Sequence, residues 1–195
     1  MRRPRRRPMP QAAPRRWRQR GRRQRAVTDA AHPPVRAAVA IGANIGDPAA
    51  QVGAALDALA QLPDTRLTAR SALYRSAAMG PPQPDYCNAV CLLSTALSAH
   101  ALLAACHRIE HAAGRRRTDA RWLPRELDLD VLVYGDGVFD EPGLRVPHPG
   151  VSERNFVLVP LAEIAPDLVI PGHGPVAALA DRCGRDGLAL WGALP

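Results

Sequence analysis

The amino-acid sequence predicts an α+β protein in which helices pack on a mainly antiparallel sheet. Two segments carry apolar residues at helical spacing, and the segments around them are apolar or alternating runs of the length typical of strands. These elements follow one another as strand, helix, strand, strand, helix and strand. That order indicates a ferredoxin-like α/β sandwich.

The first strand and helix are predicted from an apolar run that a turn follows. Residues 36–42 are short and apolar, and the turn at 42–47 is rich in Gly, Asn and Asp, which tolerate unusual backbone angles. Asp47 is placed to cap a helix, and Pro48 suits its first turn. Apolar residues then recur at helical spacing until Pro63, so we expect this helix to present one face to the core.

The later elements are predicted by the same two patterns. The segments concerned are strands at 67–74, 86–97 and 127–134, a helix from 98 to 114, and a helix at 155–164. Ser98 is a suitable cap for the second helix, and Gly114 is a suitable terminator. Residues 80–84 predict a stiff proline-rich loop, and Arg145 and Val146 predict a short edge strand.

The positive charge of the chain is concentrated at its N-terminus. The formal net charge is +8, yet 13 of the 26 basic residues lie at or before Arg36 beside a single acid, Asp29. The rest of the chain has 13 basic against 17 acidic residues. Residues 1–35 are therefore expected to be a disordered Arg/Pro-rich tail, or a segment that is not translated, with Val27 as an alternative start. A nucleic-acid arm is the less favoured interpretation.

The cysteines and the apolar segments indicate the cellular compartment of the protein. Cys87, Cys91, Cys106 and Cys183 have neither the spacing of zinc ligands nor the density of a disulfide scaffold, so we expect free thiols in a reducing cytosol. The N-terminal segment lacks the apolar core of a secretory signal, and no later stretch is long and apolar enough to span a bilayer. A cytoplasmic protein with no membrane partner is predicted.

A pair of carboxylates is the sharpest chemical feature. Asp128 and Asp130 are two residues apart on a predicted strand, so both side chains project from one face while Leu129 points to the core. Like charges at this spacing repel unless a cation lies between them, and carboxylate oxygens suit Mg²⁺ shared with phosphates. Taken alone, the pattern is more often a solvated strand end.

The loop before this strand favours the metal interpretation because it is rich in arginine. Five guanidinium groups lie there, on Arg115, Arg116, Arg117, Arg121 and Arg125. Arginine forks match phosphate oxygens, and phosphoryl transfer needs mainly positioning and charge neutralisation. An RNA-binding loop with Trp122 as a stacking platform is the alternative. The neighbouring acids argue against RNA.

Other candidate residues are ambiguous on their own. Tyr86 and Asn88 share one face of a strand and would suit a flat heterocycle, although for this pair taken alone an ordinary core tyrosine with a satisfied amide is the favoured interpretation. His107 and Glu110 share a helix face, with functional and structural interpretations both open. His148 and Arg154 would reach phosphates or lie at the surface.

Six segments together resemble the hydroxymethyldihydropterin pyrophosphokinase family, in unbroken order from about residue 38 to residue 171. They are Ala-Ile-Gly-Ala-Asn at 40–44, residues 80–88, Gly-Arg-Arg-Arg at 114–117, Arg-Trp-Leu-Pro-Arg-Glu-Leu-Asp-Leu-Asp at 121–130, Val-Pro-His at 146–148 and residues 154–166. The run Arg-Trp-x-Pro-Arg-x-x-Asp-x-Asp is highly specific to that family.

The resemblance implies transfer of pyrophosphate from Mg-ATP to 6-hydroxymethyl-7,8-dihydropterin, with AMP as the second product. It implies a domain at 36–172, a C-terminal extension of unassigned structure at 173–195, a monomer without nucleic acid, and an arginine-rich loop that orders over the substrates. It implies two Mg²⁺ ions at Asp128 and Asp130.

The catalytic residues it implies are Arg115, Arg125, Asp128 and Asp130. The ATP-binding residues are Glu110, Arg117, Trp122, Arg125, His148 and Arg154. The pterin-binding residues are Ser76, Ala77, Met79, Tyr86, Asn88 and Phe156.

Four residues depart from the family pattern. Leu123 stands where glycine is usual, and Ala77 replaces a common proline beside the pterin. His107 replaces a common glutamine beside the nucleotide, and Pro149 a frequent side-chain donor. These differences bear on affinity rather than on the reaction. Two rivals stay open, namely another Mg-dependent phosphoryl or nucleotidyl transferase on this fold and an RNA-binding ferredoxin-like module.

Overall fold

The computed structural model describes residues 33–115 and 123–192. Its strands are β1 Val35–Ala43, β2 Thr65–Arg70, β3 Leu73–Ser76, β4 Tyr86–Thr95, β5 Asp128–Tyr134, β6 Phe139–Glu141, β7 Leu144–Val146, β8 Val169–Ile170, β9 Gly174–Pro175 and β10 Leu188–Gly192. Its helices are α1 Pro48–Ala60, α2 Ala99–Ala112, α3 Asn155–Ile164 and α4 Val176–Cys183. The α+β class is confirmed.

A six-stranded antiparallel sheet forms the body of the fold. Its strand order is β10-β3-β4-β1-β5, and β2 pairs with a further part of β4. β4 is buried along almost its whole length, because helices cover both faces of the sheet at this strand. The pairs β6–β7 and β8–β9 form two small sheets of their own.

The core has one layer on each face of this sheet. Successive residues of β4, such as Val90 and Cys91, point to opposite faces. The Cys91 face packs against α1 and α2, and the Val90 face packs against α3 and α4. Among the described residues, no helix has the length and apolar character needed to cross a bilayer.

Both helix caps expected from the sequence are confirmed. The Asp47 side chain accepts a hydrogen bond from the backbone N–H of Ala50 at 3.1 Å, and the Ser98 hydroxyl accepts one from Ala101 at 3.2 Å. Gly114, just after α2, has a φ of 96°, which favours glycine. These local signals determine where α1 and α2 begin and where α2 stops.

The single strand predicted for residues 67–74 is wrong, because the chain bends there into β2 and β3. The Ser71 hydroxyl accepts a hydrogen bond from the Val90 backbone N–H at 3.0 Å, in place of a backbone carbonyl. Glu163 of α3, 91 residues further along the chain, accepts the N–H of Ala72 at 3.0 Å. Alternation within the segment contains no sign of so distant a partner.

Two further segments are clearer in the structure than in the sequence. Arg145 and Val146 lie in β7 and pair with β6 in a separate hairpin, not at the edge of the main sheet. Residues 173–192, part of the segment that the sequence left unassigned, fold onto the main body. There α4 packs with α3, and β10 pairs with β3 as the outermost strand of the sheet.

Candidate active site

Three neighbouring strands bring polar residues into one row across the sheet. Gly42 of β1 lies directly opposite Asn88 of β4 and also opposite Asp128 of β5. Opposite residues of antiparallel strands point to the same face, so Asn88 and Asp128 flank Gly42 on one face. Asp130, two residues along β5 and opposite Ala40, points the same way. The paired-carboxylate geometry predicted from the sequence is thus present.

The row forms the floor of an open cavity of about 410 Å³, a size typical of ligand pockets. The cavity opens on the Val90 face of the sheet, beside the start of α3. Its walls come from α2, the loop after β3, the segment before β5 and the loop that precedes α3. Elements from most of the chain therefore converge on one site.

One side of the cavity is acidic and lined by arginines. The Asp128 carboxylate accepts hydrogen bonds from the guanidinium groups of both Arg115 and Arg125. Burial raises the pKa of Asp130, and the nearby negative charge of Asp128 raises it further. The Nε2 atom of His148 lies 3.7 Å from an Asp130 oxygen. This side concentrates charges of both signs in a partly buried space.

Glu110 of α2 hydrogen-bonds to β5, the strand that carries Asp128 and Asp130. Its side chain is 2% exposed, and Oε1 accepts a hydrogen bond from the backbone N–H of Leu129 at 2.8 Å. The same carboxylate forms an ion pair with Arg115. Since Leu129 lies between Asp128 and Asp130, Glu110 positions the carboxylate pair and the arginine together.

His148 is oriented by its own loop. Its Nδ1 accepts a hydrogen bond from the Gly150 backbone N–H at 3.1 Å, so the proton of the neutral ring is on Nε2, which faces Asp130. Burial lowers the pKa of His148, which favours this neutral form. The imidazole therefore offers one N–H donor to the acidic side of the cavity.

The other side of the cavity is aromatic and amide-bearing. Asn88 Nδ2 donates to the Ser76 hydroxyl at 3.0 Å, and its Oδ1 is turned towards Gly42. A Cβ atom on residue 42 would lie 3.4 Å from that oxygen and 3.6 Å from the Tyr86 ring. Phe156 of α3 adds a second ring to this side. Two rings and an amide oxygen suit a flat heterocycle with N–H donors.

Asn44 joins three segments around the cavity, a role that sequence reasoning missed. It is 2% exposed, and its Oδ1 accepts from the Arg125 backbone N–H at 2.7 Å while its own N–H donates to the Arg125 carbonyl at 3.0 Å. Its Nδ2 donates to Gln83 Oε1 and to the Pro84 carbonyl, both at 3.0 Å. The Gly-Ala-Asn turn was the available signal, but it indicates local turn chemistry rather than these distant partners.

The structure brings together the predicted site residues that it describes. Those lining the cavity are Ser76, Ala77, Met79, Tyr86, Asn88, Glu110, Arg115, Arg125, Asp128, Asp130, His148, Arg154 and Phe156. The predicted ATP ligands Arg117 and Trp122 lie outside the described residues. Of the departures from the family pattern, His107 and Leu123 also line this cavity, and Pro149 lines an adjoining groove beside the β6–β7 hairpin.

The paired carboxylates and arginines of the cavity are of the kind that enzymes of the phosphoryl-transfer class use. The model of the 7,8-dihydro-6-hydroxymethylpterin-pyrophosphokinase (HPPK) family matches residues 38–166. The chain belongs to this family, whose reaction is the transfer of pyrophosphate from ATP to hydroxymethyldihydropterin in folate biosynthesis. The resemblance noted in the sequence is confirmed.

Individual relatives agree with the family match. The 2-amino-4-hydroxy-6-hydroxymethyldihydropteridine pyrophosphokinase of Pseudomonas aeruginosa is 46% identical over 151 residues, which cover 77% of this chain and 93% of that protein. The enzyme of the same name from Methylorubrum extorquens is 48% identical over 146 residues, or 74% and 92% of the two chains. The wild-type HPPK-DHPS of Plasmodium falciparum shares the fold, with a TM-score of 0.58 at 11% identity over 76% of this chain and 44% of that one. This chain thus spans less than half of that protein.

Proposed function

We propose that the chain transfers pyrophosphate from ATP to 6-hydroxymethyl-7,8-dihydropterin over Gly42, with the triphosphate on the Asp128 side and the pterin on the Asn88 side. The observation that carries this proposal is the strand register, in which both residues lie opposite Gly42. Attack of the hydroxymethyl oxygen on the β-phosphorus would form the new O–P bond, release the hydroxyl proton to water and break the bond between the β-phosphorus and the oxygen that bridges it to the α-phosphate. AMP would leave, and the pterin diphosphate would remain.

Asp128 and Asp130 fit a Mg²⁺ site. Both present carboxylate oxygens on one face, and burial together with the negative charge of Asp128 raises the pKa of Asp130. A bound cation would relieve the repulsion between the two carboxylates. The described residues contain no cluster of three or more His, Cys, Asp or Glu side chains for a metal, so the other ligands would be ATP phosphates and water, as is usual for Mg²⁺. Bound Mg²⁺ would neutralise phosphate charge and orient the triphosphate. We propose two such ions.

The arginines of this side would bind the triphosphate. Arg115 and Arg125 now contact Asp128, and their forked donors match phosphate oxygens equally well. We expect both to exchange the carboxylate for phosphate oxygens when Mg-ATP binds, and to stabilise charge in the transition state. His148 and Arg154 line the same space and would add donors to the phosphates. Glu110 would act mainly by holding Arg115 in place.

The pterin would occupy the opposite side. Tyr86 and Phe156 provide rings for stacking, and Asn88 Oδ1 provides an acceptor for a pterin N–H. Ser76, Ala77 and Met79 line the edge of this space. The pterin would therefore be recognised by shape, by stacking and by a few directed hydrogen bonds.

We also propose that the enzyme acts as a monomer in the cytoplasm. All four cysteines are free thiols, which suits a reducing compartment. Sedimentation of the purified protein at working concentration tests the first point. A dimer mass that persisted on dilution would contradict it.

Product analysis tests the activity. Incubation with Mg-ATP and the reduced pterin should give AMP and pterin diphosphate in equal amounts, and EDTA should stop the reaction. ADP or free pyrophosphate as the coproduct would support another transferase instead.

Paired carboxylate variants test the site. Asp128→Asn and Asp130→Asn should each abolish turnover with unchanged circular dichroism, while Asp57→Asn, at an exposed position of α1, should behave like wild type. Full turnover in either site variant would contradict the metal assignment. RNA binding that survives Asp128→Asn would favour the binding-module rival.

A further inference from the structure

We propose that the last strand, β10, positions the pterin side of the cavity, with Trp191 and Arg75 as the positioning residues. The inference rests on the proposed function, because it takes Ser76 and Asn88 as part of the pterin site. β10 lies beyond residue 166, where the family match ends, and within the described part of the chain the cavity lining comes from other elements. β10 would therefore act on the pterin indirectly, chiefly through its paired neighbour β3.

β10 supports β3 at the residue that enters the cavity. Leu188 pairs with Ser76 and Ala189 pairs with Arg75, while Ser76 pairs on its other side with Tyr86 of β4. β3 has only four residues and pairs with β4 over three of them, so β10 supplies its second edge. Since the Ser76 hydroxyl accepts the Asn88 amide hydrogen bond, a shift of Ser76 would also turn Asn88.

A β-bulge places Trp191 against Arg75. The register of β10 on β3 shifts between Leu190 and Gly192, so Trp191 is the extra residue, and bulges re-aim the side chains they contain. The Trp191 ring lies 4.8 Å from the Arg75 guanidinium carbon, within the range of a cation–π contact. The ring also packs against the core beneath α1 and α2. The pair thus connects β3 to the body of the protein.

The same pair lies beneath the loops that Asn44 joins. Arg75 and Trp191 line a shallow groove together with Ile45, Pro84 and Pro124, which belong to the turn after β1, the proline-rich loop and the segment before Arg125. Among the described ATP-side residues, only Arg125 follows a segment that borders this groove, and its guanidinium is fixed by its ion pair with Asp128. Glu110, Asp130 and His148 belong to α2, β5 and the loop after β7. Loss of the Trp191 ring should therefore loosen the pterin side and spare the ATP side.

Steady-state kinetics of Trp191→Ala and Trp191→Phe test this division. We expect Trp191→Ala to raise the KM for the pterin about tenfold with the KM for ATP changed less than about twofold, and Trp191→Phe, which keeps a ring face, to restore most of the affinity. Leu190→Ala is the matched control, because that neighbouring side chain is 68% exposed, and it should behave like wild type. A folded Trp191→Ala with wild-type pterin KM, or with both KM values raised alike, would overturn the proposal.

Arg75→Met gives a second route should Trp191→Ala fail to fold, because it removes the charge and keeps the length of the side chain. It too should raise the pterin KM selectively, and an unchanged pterin KM would count against the pair. Failure of the proposed function would be recognised separately, since the wild-type protein itself would then form no AMP. An active wild type with insensitive Trp191 and Arg75 variants would disprove only the role of β10.

Discussion

Asn88 and Asp128 lie opposite the same residue, Gly42, one on each side of β1. With about 4.8 Å between neighbouring strands, their backbones are about 10 Å apart on one face of the sheet. Sheet pairing, rather than loop conformation, sets the distance between the proposed pterin and phosphate sides. A slip of one residue in either pairing would turn one of these side chains to the other face.

The first prediction concerns the floor between these residues. Gly42→Ala should fold normally, because the added Cβ would make ordinary contacts of 3.4 Å with Asn88 and 3.6 Å with Tyr86. The methyl group would nevertheless occupy the floor of the cavity, so we expect the KM for the pterin to rise about tenfold, and more for Gly42→Val. Thermal unfolding and steady-state kinetics measure the two effects separately.

Gly53→Ala is the matched control for that substitution. A Cβ at this position of α1 would meet no atom within 4 Å. The change should stabilise the fold by about 0.5–1 kcal/mol and leave both KM values unaltered. If Gly42→Val bound the pterin as wild type does, the ligand would not lie over Gly42.

The second prediction concerns Asn44. Asn44→Ala removes three side-chain hydrogen bonds, so we expect a loss of about 2–3 kcal/mol in the free energy of unfolding and a fall in kcat. Asn44→Asp should also lower the free energy of unfolding although the two side chains have nearly the same shape. A carboxylate oxygen would replace the Nδ2 donor that faces Gln83 and Pro84. Urea unfolding with parallel kinetics would measure both.

Thr68→Ala serves as the comparison for Asn44. It removes one side-chain hydrogen bond, to the Leu92 carbonyl at 3.1 Å, on a strand outside the cavity lining as described. It should lower the free energy of unfolding by about 1 kcal/mol and leave kcat unchanged. Equal kinetic losses in the two variants would show that Asn44 contributes to the fold alone.

The third prediction separates two functions of Glu110. Glu110→Gln keeps an acceptor for the Leu129 N–H but loses the charge that pairs with Arg115. It should retain most of the stability and raise the KM for ATP about tenfold. Glu110→Ala should in addition lose about 1–3 kcal/mol of stability, because a buried N–H is left without an acceptor. Identical unfolding curves for the two variants would exclude the role in holding β5.

Local patterns were sufficient to place two pairs of candidate residues on strand faces, whereas their proposed roles came from the family resemblance. Asp128 and Asp130 alternate with apolar residues on a strand, and Tyr86 and Asn88 do the same, so period-two spacing alone placed each pair on one face. The structure adds that both pairs share the same face of one sheet. That relation depends on the register of β1 with its two neighbours, which no single segment encodes.

The features that escaped prediction depend on distant partners. The bend at Ser71 requires Glu163, and the function of Asn44 requires Gln83 and Arg125, 39 and 81 residues away. β10 becomes a strand by pairing with β3, and its five residues show little alternation of their own. In each case, tertiary contacts decide a conformation for which the local sequence has only a weak preference.

The fourth prediction concerns the thiols. Burial raises the pKa of Cys87 to about 11 and of Cys106 to about 12, and it raises that of Cys91 as well, so at about pH 8 all three remain protonated and shielded. Cys183 is partly exposed. Ellman's reagent should therefore label one thiol of the native protein quickly and all four only in urea. Cys183→Ser should remove the fast phase, and a fast phase that survived this change would mean that the core around β4 and α2 opens readily.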